Sequence, residues 1–167
     1  MGIGNIINKV EASGIVAIDL IDYKPKIEIV EFDIKDYLYM GLIVKEKEFR
    51  ASISQINFND FQGKAVALIC SADAIIPPWV YMFLADKFNS HAILIDFKDK
   101  NRLELDLWKN NLKQADLSIY KGKKTVVRAR PDTAPDLYLI ATERLKPIVK
   151  VLMYGEIGMP KVILKND

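Results

Sequence analysis

The chain has 167 residues, of which half are hydrophobic and 28% are charged, a composition typical of folded rather than disordered proteins. Its 24 lysines and arginines and 22 aspartates and glutamates give a net charge of +2. The densest basic stretch, YKGKK at 120–124, is interpreted as a solvated turn, so the charge gives no indication of nucleic-acid binding.

The single cysteine, Cys70, excludes an intrachain disulfide, a CxxC pair and a cysteine-rich zinc site made by this chain alone, and it suits a reducing compartment. The first 14 residues lack the apolar stretch of a signal peptide. The longest apolar run, YLYMGLIV at 37–44, is too short to span a bilayer. We therefore expect a cytoplasmic protein that binds neither nucleic acid nor membrane.

The sequence of residues 1–56 indicates strands and a helical segment. The stretch GIVAIDL at 14–20 is apolar and β-branched, which indicates a strand. The stretch IEIVEF at 27–32 alternates apolar and acidic residues, as an edge strand with one solvated face would. Asp33 can then cap a helix, and VKEKEFRASI at 44–53 has helical spacing.

Residues 57–156 alternate strands and helices more regularly. The run KAVALIC at 64–70 is almost continuously apolar, as in strands covered on both faces. Proline, which has no backbone N–H, is well suited to the start of a helix, because the N–H groups of the first turn have no hydrogen-bond acceptor within the helix. In chain order we predict a strand at 64–70, a helix entered at Pro77 and Pro78, a strand at 91–97, a helix at about 100–114, a strand at 124–129, a helix entered at Pro135, a strand at 148–155 and a short edge strand or packed tail at 159–167.

Strands and helices that alternate at this spacing form βαβ units, whose crossovers are right-handed and place helices on both sheet faces. We predict a single α/β domain over 1–167 with a mainly parallel sheet and helices on both faces. Residues 57–156 would form the regular βαβ core, and residues 1–56 would add an N-terminal strand and helical segment.

Two stretches of the chain are similar in sequence, a similarity that we call the internal echo. Residues 57–73 align without a gap with residues 116–132, which matches Gly63 with Gly122 and Lys64 with Lys123. Any two βαβ units can look alike in this way, but the echo also fits a pseudo-repeat of two such units. A repeat would bring the loops after residues 70 and 129 together at the C-terminal edge of one sheet, where open α/β sheets bind ligands.

Polar residues that follow the predicted strands are the candidate ligand-binding residues. Carboxylates gathered there can hold a hard cation or act in acid–base chemistry, although an aspartate after a strand is often only a helix cap. A thiol facing a helix N-terminus has a lowered pKa, although lone cysteines are most often buried apolar residues. The candidates are Cys70, Ser71, Asp73, Arg130, Asp132 and Glu156.

Several chemistries are excluded by position or by absent motifs. The only histidine, His91, opens the strand that follows the helix, whereas Cys70 ends the strand before it, so the two should lie at opposite sheet edges. Gly2 and Gly4 precede any strand and form no dinucleotide loop, and neither a GxxxxGK[ST] nor a GxSxG motif occurs. No catalytic residue and no resident metal or cofactor is predicted.

The helix after Pro78 is apolar almost all round its first two turns. Trp79, Met82 and Phe83 are therefore interpreted as core residues, with a homodimer interface as the alternative.

Three stretches, VEFDIKDYLYMGLIVKEKEFR (30–50), CSADAIIPPWVYM (70–82) and MYGE (153–156), resemble the DUF2480 family, a bacterial family of unknown function found mainly in Bacteroidetes. The resemblance covers nearly the whole chain. Family members often carry two further cysteines, which the resemblance places at Ala129 and near Gly158. Together with Cys70 they would imply a metal or iron–sulfur role, but this chain has only one of the three.

These observations predict a non-catalytic α/β protein that binds a protein partner or a small ligand at the C-terminal edge of its sheet. One alternative is an accessory factor in metal or iron–sulfur handling. The other is a hydrolase- or transferase-like enzyme that uses Cys70 or the carboxylates.

Overall fold

The computed structural model describes residues 14–167, so Gly2 and Gly4 lie outside the described residues. The described chain is a mixed α/β structure. In chain order its elements are β1 Ile15–Ile18, β2 Ile29–Asp33, α1 Glu46–Ser54, β3 Ala65–Ile69, α2 Pro78–Asn89, β4 Leu94–Phe97, α3 Lys100–Gln114, β5 Lys124–Arg128, α4 Pro135–Leu145, β6 Val151–Gly155 and β7 Lys161–Lys165. No helix in this range is long and apolar enough to cross a membrane.

The seven strands of residues 14–167 form two sheets instead of one. One sheet has the order β2-β3-β4 and is parallel throughout. The other has the order β1-β5-β6-β7, in which only β7 is antiparallel to its neighbour. Mostly parallel pairing is therefore confirmed, but the prediction of one shared sheet is wrong, because β3 pairs with β2 and β4 while β5 pairs with β1 and β6.

The chain divides into two compact units. The described part of unit 1 comprises residues 14–25 and Leu105–Asp167, and unit 2 comprises Lys26–Glu104. Unit 2 is thus a continuous segment inserted into the sequence of unit 1. The single domain over residues 1–167 stays a prediction.

Unit 2 has an aromatic core on one face of its sheet. Val66 and Leu68 of the central strand β3 pack with Phe49 of α1 and with Leu84 and Phe88 of α2. Alternation along β3 directs these two side chains to the helices. Phe88 lies edge-on to the ring of Phe61 at 4.9 Å between ring centroids.

Unit 1 buries α3 and α4 against the corresponding face of its sheet. Trp108 and Leu137 of these helices pack with Ile18, Val127 and Leu152 of the strands. The Trp108 indole N–H donates to the Leu20 carbonyl oxygen at 2.8 Å. The opposite sheet face carries a smaller cluster of Val126, Val151 and Met153.

The two units share an order of elements around β3 and β5. Gly63 and Gly122 both have a left-handed backbone, with φ of 74° and 70°. Their N–H groups donate to the carbonyl oxygens of His91 and Ile148, which lie at matching positions before β4 and β6. The pseudo-repeat stays a prediction, and this shared hydrogen-bond pattern supports it.

Candidate functional site

The carboxyl side of the unit 2 sheet is organised by Asp33, the last residue of β2. Its carboxylate accepts hydrogen bonds from the backbone N–H of Lys35 at 3.0 Å and of Ser71 at 3.0 Å. The Ser71 hydroxyl donates to the other oxygen at 2.5 Å. Burial acts to raise the pKa of Asp33, but the bonds from Ser71 and Lys35 outweigh it and hold the pKa below its usual range. Asp33 thereby joins the loops that follow β2 and β3.

Cys70 is half-buried in the loop after β3. It packs against the aromatic core of unit 2, and its Sγ lies 3.6 Å from the Ala72 carbonyl oxygen. Burial raises the pKa of the nearby Tyr81, and the negative charge of a Cys70 thiolate acts in the same direction, which makes this phenol a poor candidate for a base that activates Cys70. The contacts of Cys70 are those of a core residue at a strand end.

His91 lies at the other end of the unit 2 sheet. It precedes β4, and its ring stacks on Phe58 at 6.2 Å between centroids. Since β3 and β4 run parallel, Cys70 and His91 flank opposite ends of this strand pair. The expectation that they do not form a catalytic pair agrees with this placement.

The carboxyl side of the unit 1 sheet is organised by Asp19, which follows β1. The Arg130 guanidinium binds both oxygens of Asp19 through Nε at 3.2 Å, and its Nη2 donates to Oδ2. Arg128 Nη1 lies 3.8 Å from the same oxygen. The hydrogen bond from Arg130 lowers the pKa of Asp19. This bond also raises the pKa of Arg130, and the charge of Glu156 acts in the same direction.

The structure therefore separates the six predicted site residues into two groups. Cys70, Ser71 and Asp73 follow β3 in unit 2, whereas Arg130, Asp132 and Glu156 follow β5 and β6 in unit 1. Asp73 and Asp132 are exposed. The prediction that both groups share one sheet edge is wrong, because strands with similar local patterns pair in different sheets.

Sequence reasoning missed Asp19 as a site residue and treated Asp33 only as a cap. A signal for both is present in the sequence. Each aspartate stands between two apolar residues at a strand end, in Ile18-Asp19-Leu20 and Phe32-Asp33-Ile34. The cap prediction for Asp33 is confirmed, since its side chain accepts the Lys35 N–H at the start of a 3-10 turn over Ile34–Tyr37.

An exposed apolar turn lies on the carboxyl side of unit 2, between that 3-10 turn and α1. Tyr39 and Ile43 hydrogen-bond to each other through both backbone N–H groups, at 2.8 and 3.2 Å. Between them, Met40 and Gly41 have φ of 52° and 69°, the left-handed pair of a tight hairpin turn. Tyr39, Met40, Leu42 and Ile43 are all exposed, and Met40 is 78% exposed.

An apolar groove of about 440 Å³ lies between α2 and the outer strand β4. It is lined by Leu68 of β3, by Tyr81 and Ala85 of α2 and by Ile95, Asp96 and Phe97 of β4. The Tyr81 and Phe97 rings meet edge to face at 5.3 Å.

A family model described as a protein of unknown function (DUF2480) matches residues 4–165 of the 167. The chain belongs to the DUF2480 family. No curated protein and no solved structure matches it. The resemblance identified from the sequence is confirmed by this match.

In this DUF2480 chain the three positions at which the resemblance implies cysteines do not follow strands of one sheet. Cys70 follows β3 of unit 2, whereas Ala129 and Gly158 lie in unit 1. Among residues 14–167 there is no group of three His, Cys, Asp or Glu side chains that could hold a metal ion.

Proposed function

We propose that this DUF2480 protein is a non-catalytic binding protein that docks a protein partner on the carboxyl side of the unit 2 sheet. The docking surface is the turn Tyr39–Ile43. The observation that supports this proposal is the exposure of four large apolar side chains on one tight turn.

The conformation of the turn adds to this argument. The left-handed backbone conformation costs a residue with a Cβ atom about 1–2 kcal/mol of conformational free energy, whereas glycine adopts it without this cost. Met40 holds this conformation at an exposed position, so the cost is not offset by burial of its side chain. Strained residues and exposed apolar groups are both concentrated at functional surfaces.

The surroundings fix the turn in place. Leu38 before it is buried, and Val44 after it packs against the aromatic core of unit 2. Lys45 Nζ lies 3.3 Å from the centroid of the Tyr39 ring. The turn is therefore anchored at both ends while its tip is presented to solvent, which keeps the entropy cost of docking low.

The partner expected on this surface is a protein with an apolar cleft that accepts Met40 and Leu42. Aliphatic and methionine side chains bind such clefts with few directional demands. Ile75, which is 94% exposed, lies in the loop after β3 and so also on the carboxyl side of this sheet. The polar pairs Asp33–Ser71 and Asp19–Arg130 are weaker candidates for a binding site, because their carboxylates already bind groups of the same chain. The exposed apolar turn is therefore the better candidate for a non-catalytic binding surface.

The proposal is tested by photo-crosslinking in living cells that express the protein. A photoreactive amino acid placed at position 40 should capture one protein partner, whereas the same group at the exposed Leu139 of α4 should not. With the purified partner, Leu42→Ser together with Ile43→Ser should weaken binding by about tenfold or more, and Leu139→Ser should leave it unchanged. Equal capture at positions 40 and 139, or unchanged affinity of the double variant, contradicts the proposal.

A further inference from the structure

Strand β4 forms an outer edge of the unit 2 sheet, because the order β2-β3-β4 places no described strand beyond it. Soluble proteins protect such edges with charges, prolines, bulges or covering segments, since the edge can pair with another chain. Besides the ion pair between Asp96 and Lys98, this edge presents large apolar residues. Ile93, just before β4, is 66% exposed and Phe97 at its end is 57% exposed.

The odd-numbered residues of this edge form one apolar row. Val66 and Leu68 of β3 are paired with Ile95 and Phe97 of β4, so these four side chains point to the helix-covered face. Ile93 continues the row, because it lies two residues before Ile95. Its backbone N–H points toward β3 and donates to the Lys64 carbonyl oxygen at 2.9 Å. By the same alternation, the backbone N–H and C=O groups of Leu94 and Asp96 point away from β3, toward the open edge.

Unit 1 shows what covers the matching edge. There β6 is flanked by the antiparallel strand β7, and Ile163 of β7 lines the matching groove beside α4. The ring pairs also match, with Tyr138 and Tyr154 at 5.7 Å where unit 2 has Tyr81 and Phe97 at 5.3 Å. An antiparallel strand with an aliphatic side chain over the groove is therefore the kind of occupant that this architecture accepts.

We infer that the occupant of the β4 edge is β4 of a second copy of this chain, paired antiparallel about a two-fold axis at Ile95. This register places Ile93 of each copy opposite Phe97 of the other, and Ile95 opposite itself. Leu94 and Asp96, whose backbone groups point outward, exchange the hydrogen bonds of the pair. Two three-stranded sheets become one sheet of six strands.

The register follows from the charge of Asp96 and from which side chains each choice of axis sets opposite each other. A two-fold axis at Asp96 would set two carboxylates directly opposite each other, which destabilises a strand pair. An axis at Ile95 avoids this and pairs each exposed apolar residue with another. The Asp96 carboxylate is already bound by Lys98 of its own chain, at 2.9 Å. A two-fold contact also closes on itself, so the edge does not go on to form filaments.

The inference is tested by analytical ultracentrifugation of the full chain across a range of concentrations. The wild-type protein should sediment as a dimer of the 19.0 kDa chain. Ile93→Lys alone and Phe97→Glu alone should each weaken the dimer by about tenfold or more, because each buries an unpaired charge twice per dimer. Both positions are exposed, so circular dichroism should show an unchanged fold.

The decisive sample is a mixture of the two single variants. In a mixed dimer with the inferred register, one end retains the Ile93–Phe97 contact and the other brings the introduced lysine against the introduced glutamate. Mixing two weakened variants should therefore restore a dimer. A monomeric wild-type chain, single variants that dimerise normally, or a mixture that stays monomeric each overturns the inference.

The matched controls are Met82→Lys and Met82→Glu, which introduce the same charges on the exposed face of α2, where Met82 is 74% exposed. Both should leave the dimer intact. If they dissociate it while the β4 variants do not, the interface lies on α2 and the inference fails. None of these substitutions alters the turn Tyr39–Ile43, so the proposed partner-binding function stands or falls separately.

Discussion

Asp19 and Asp33 each join two loops on the carboxyl side of one sheet, Asp19 in unit 1 and Asp33 in unit 2. Each ends or directly follows a strand, and each binds a residue that follows the neighbouring strand, Arg130 in one unit and Ser71 in the other. The side chain of Asp19 is only 11% exposed. A carboxylate so placed fixes two loops at once, which is a structural role that local sequence patterns describe only as capping.

Asp19→Asn should lower the free energy of unfolding at pH 7 by about 1 kcal/mol, a modest value because Arg130 and Arg128 are exposed to solvent. The pKa of Asp19 is lowered in the folded protein relative to its ordinary value of 3.8. The stabilisation is therefore complete above about pH 4 and is lost as the pH falls through the lower folded pKa. Urea unfolding of both proteins between neutral and acidic pH measures the difference.

The control for this experiment is Asp132→Asn, the same change at an exposed position on the same side of unit 1. It should leave the free energy of unfolding at pH 7 nearly unchanged, because the side chain is exposed. The result would contradict this prediction if the difference in free energy of unfolding between the wild-type protein and Asp19→Asn increased as the pH falls.

At the scale of elements, helices and strands follow from local patterns. Helix α3 spans Lys100–Gln114, as predicted, and α4 begins at Pro135, the residue expected to open it. The strand predicted over 148–155 begins later, at Val151, because Ile148 and Val149 hydrogen-bond back to Leu145 at the end of α4. The tail forms a real edge strand, β7.

The half-buried state of Trp79 and Phe83 also depends on packing between elements. Their rings meet Phe49 of α1 at 5.9 and 6.2 Å, and the Arg50 guanidinium lies over both. Met82 on the same helix is exposed. The homodimer through Trp79, Met82 and Phe83 stays a prediction, although two of its three residues are largely occupied within their own chain.

Met40→Gly should raise the free energy of unfolding by about 1 kcal/mol, because glycine adopts the left-handed backbone of this turn without strain. The same substitution at the equally exposed Met82, inside α2, should lower it by about 1 kcal/mol. Thermal unfolding of the two variants side by side gives the comparison. Destabilisation by Met40→Gly would mean that the turn is not strained, which would remove one support for the docking proposal.

At the scale of the whole molecule, the arrangement depends on pairing between distant segments. Ile15 of β1 pairs with Lys124 of β5, and the whole of unit 2 lies between them in the sequence. Hydrophobic periodicity identifies a strand but says nothing about its neighbour, since every buried strand presents a similar apolar run. This is why the predicted site was split between two sheets.

Leu84→Ala in unit 2 and Leu145→Ala in unit 1 test whether the chain unfolds as one domain. Both leucines are fully buried, so each substitution should lower the free energy of unfolding by about 3 kcal/mol. With a single domain, both variants shift one shared calorimetric transition downward. Two transitions, each moved by only one of the substitutions, would contradict the predicted single domain.

The sequence by itself determined the α/β class, nearly every helix and strand, the cap at Asp33 and the family, because these depend on residues close together in the chain. Only the tertiary structure decided that there are two sheets, that Asp19 holds Arg130, and that the apolar turn at Tyr39–Ile43 and the β4 edge face solvent. Strand partners and exposure are set by the free energy of packing segments that lie far apart in the chain, and no local pattern encodes them.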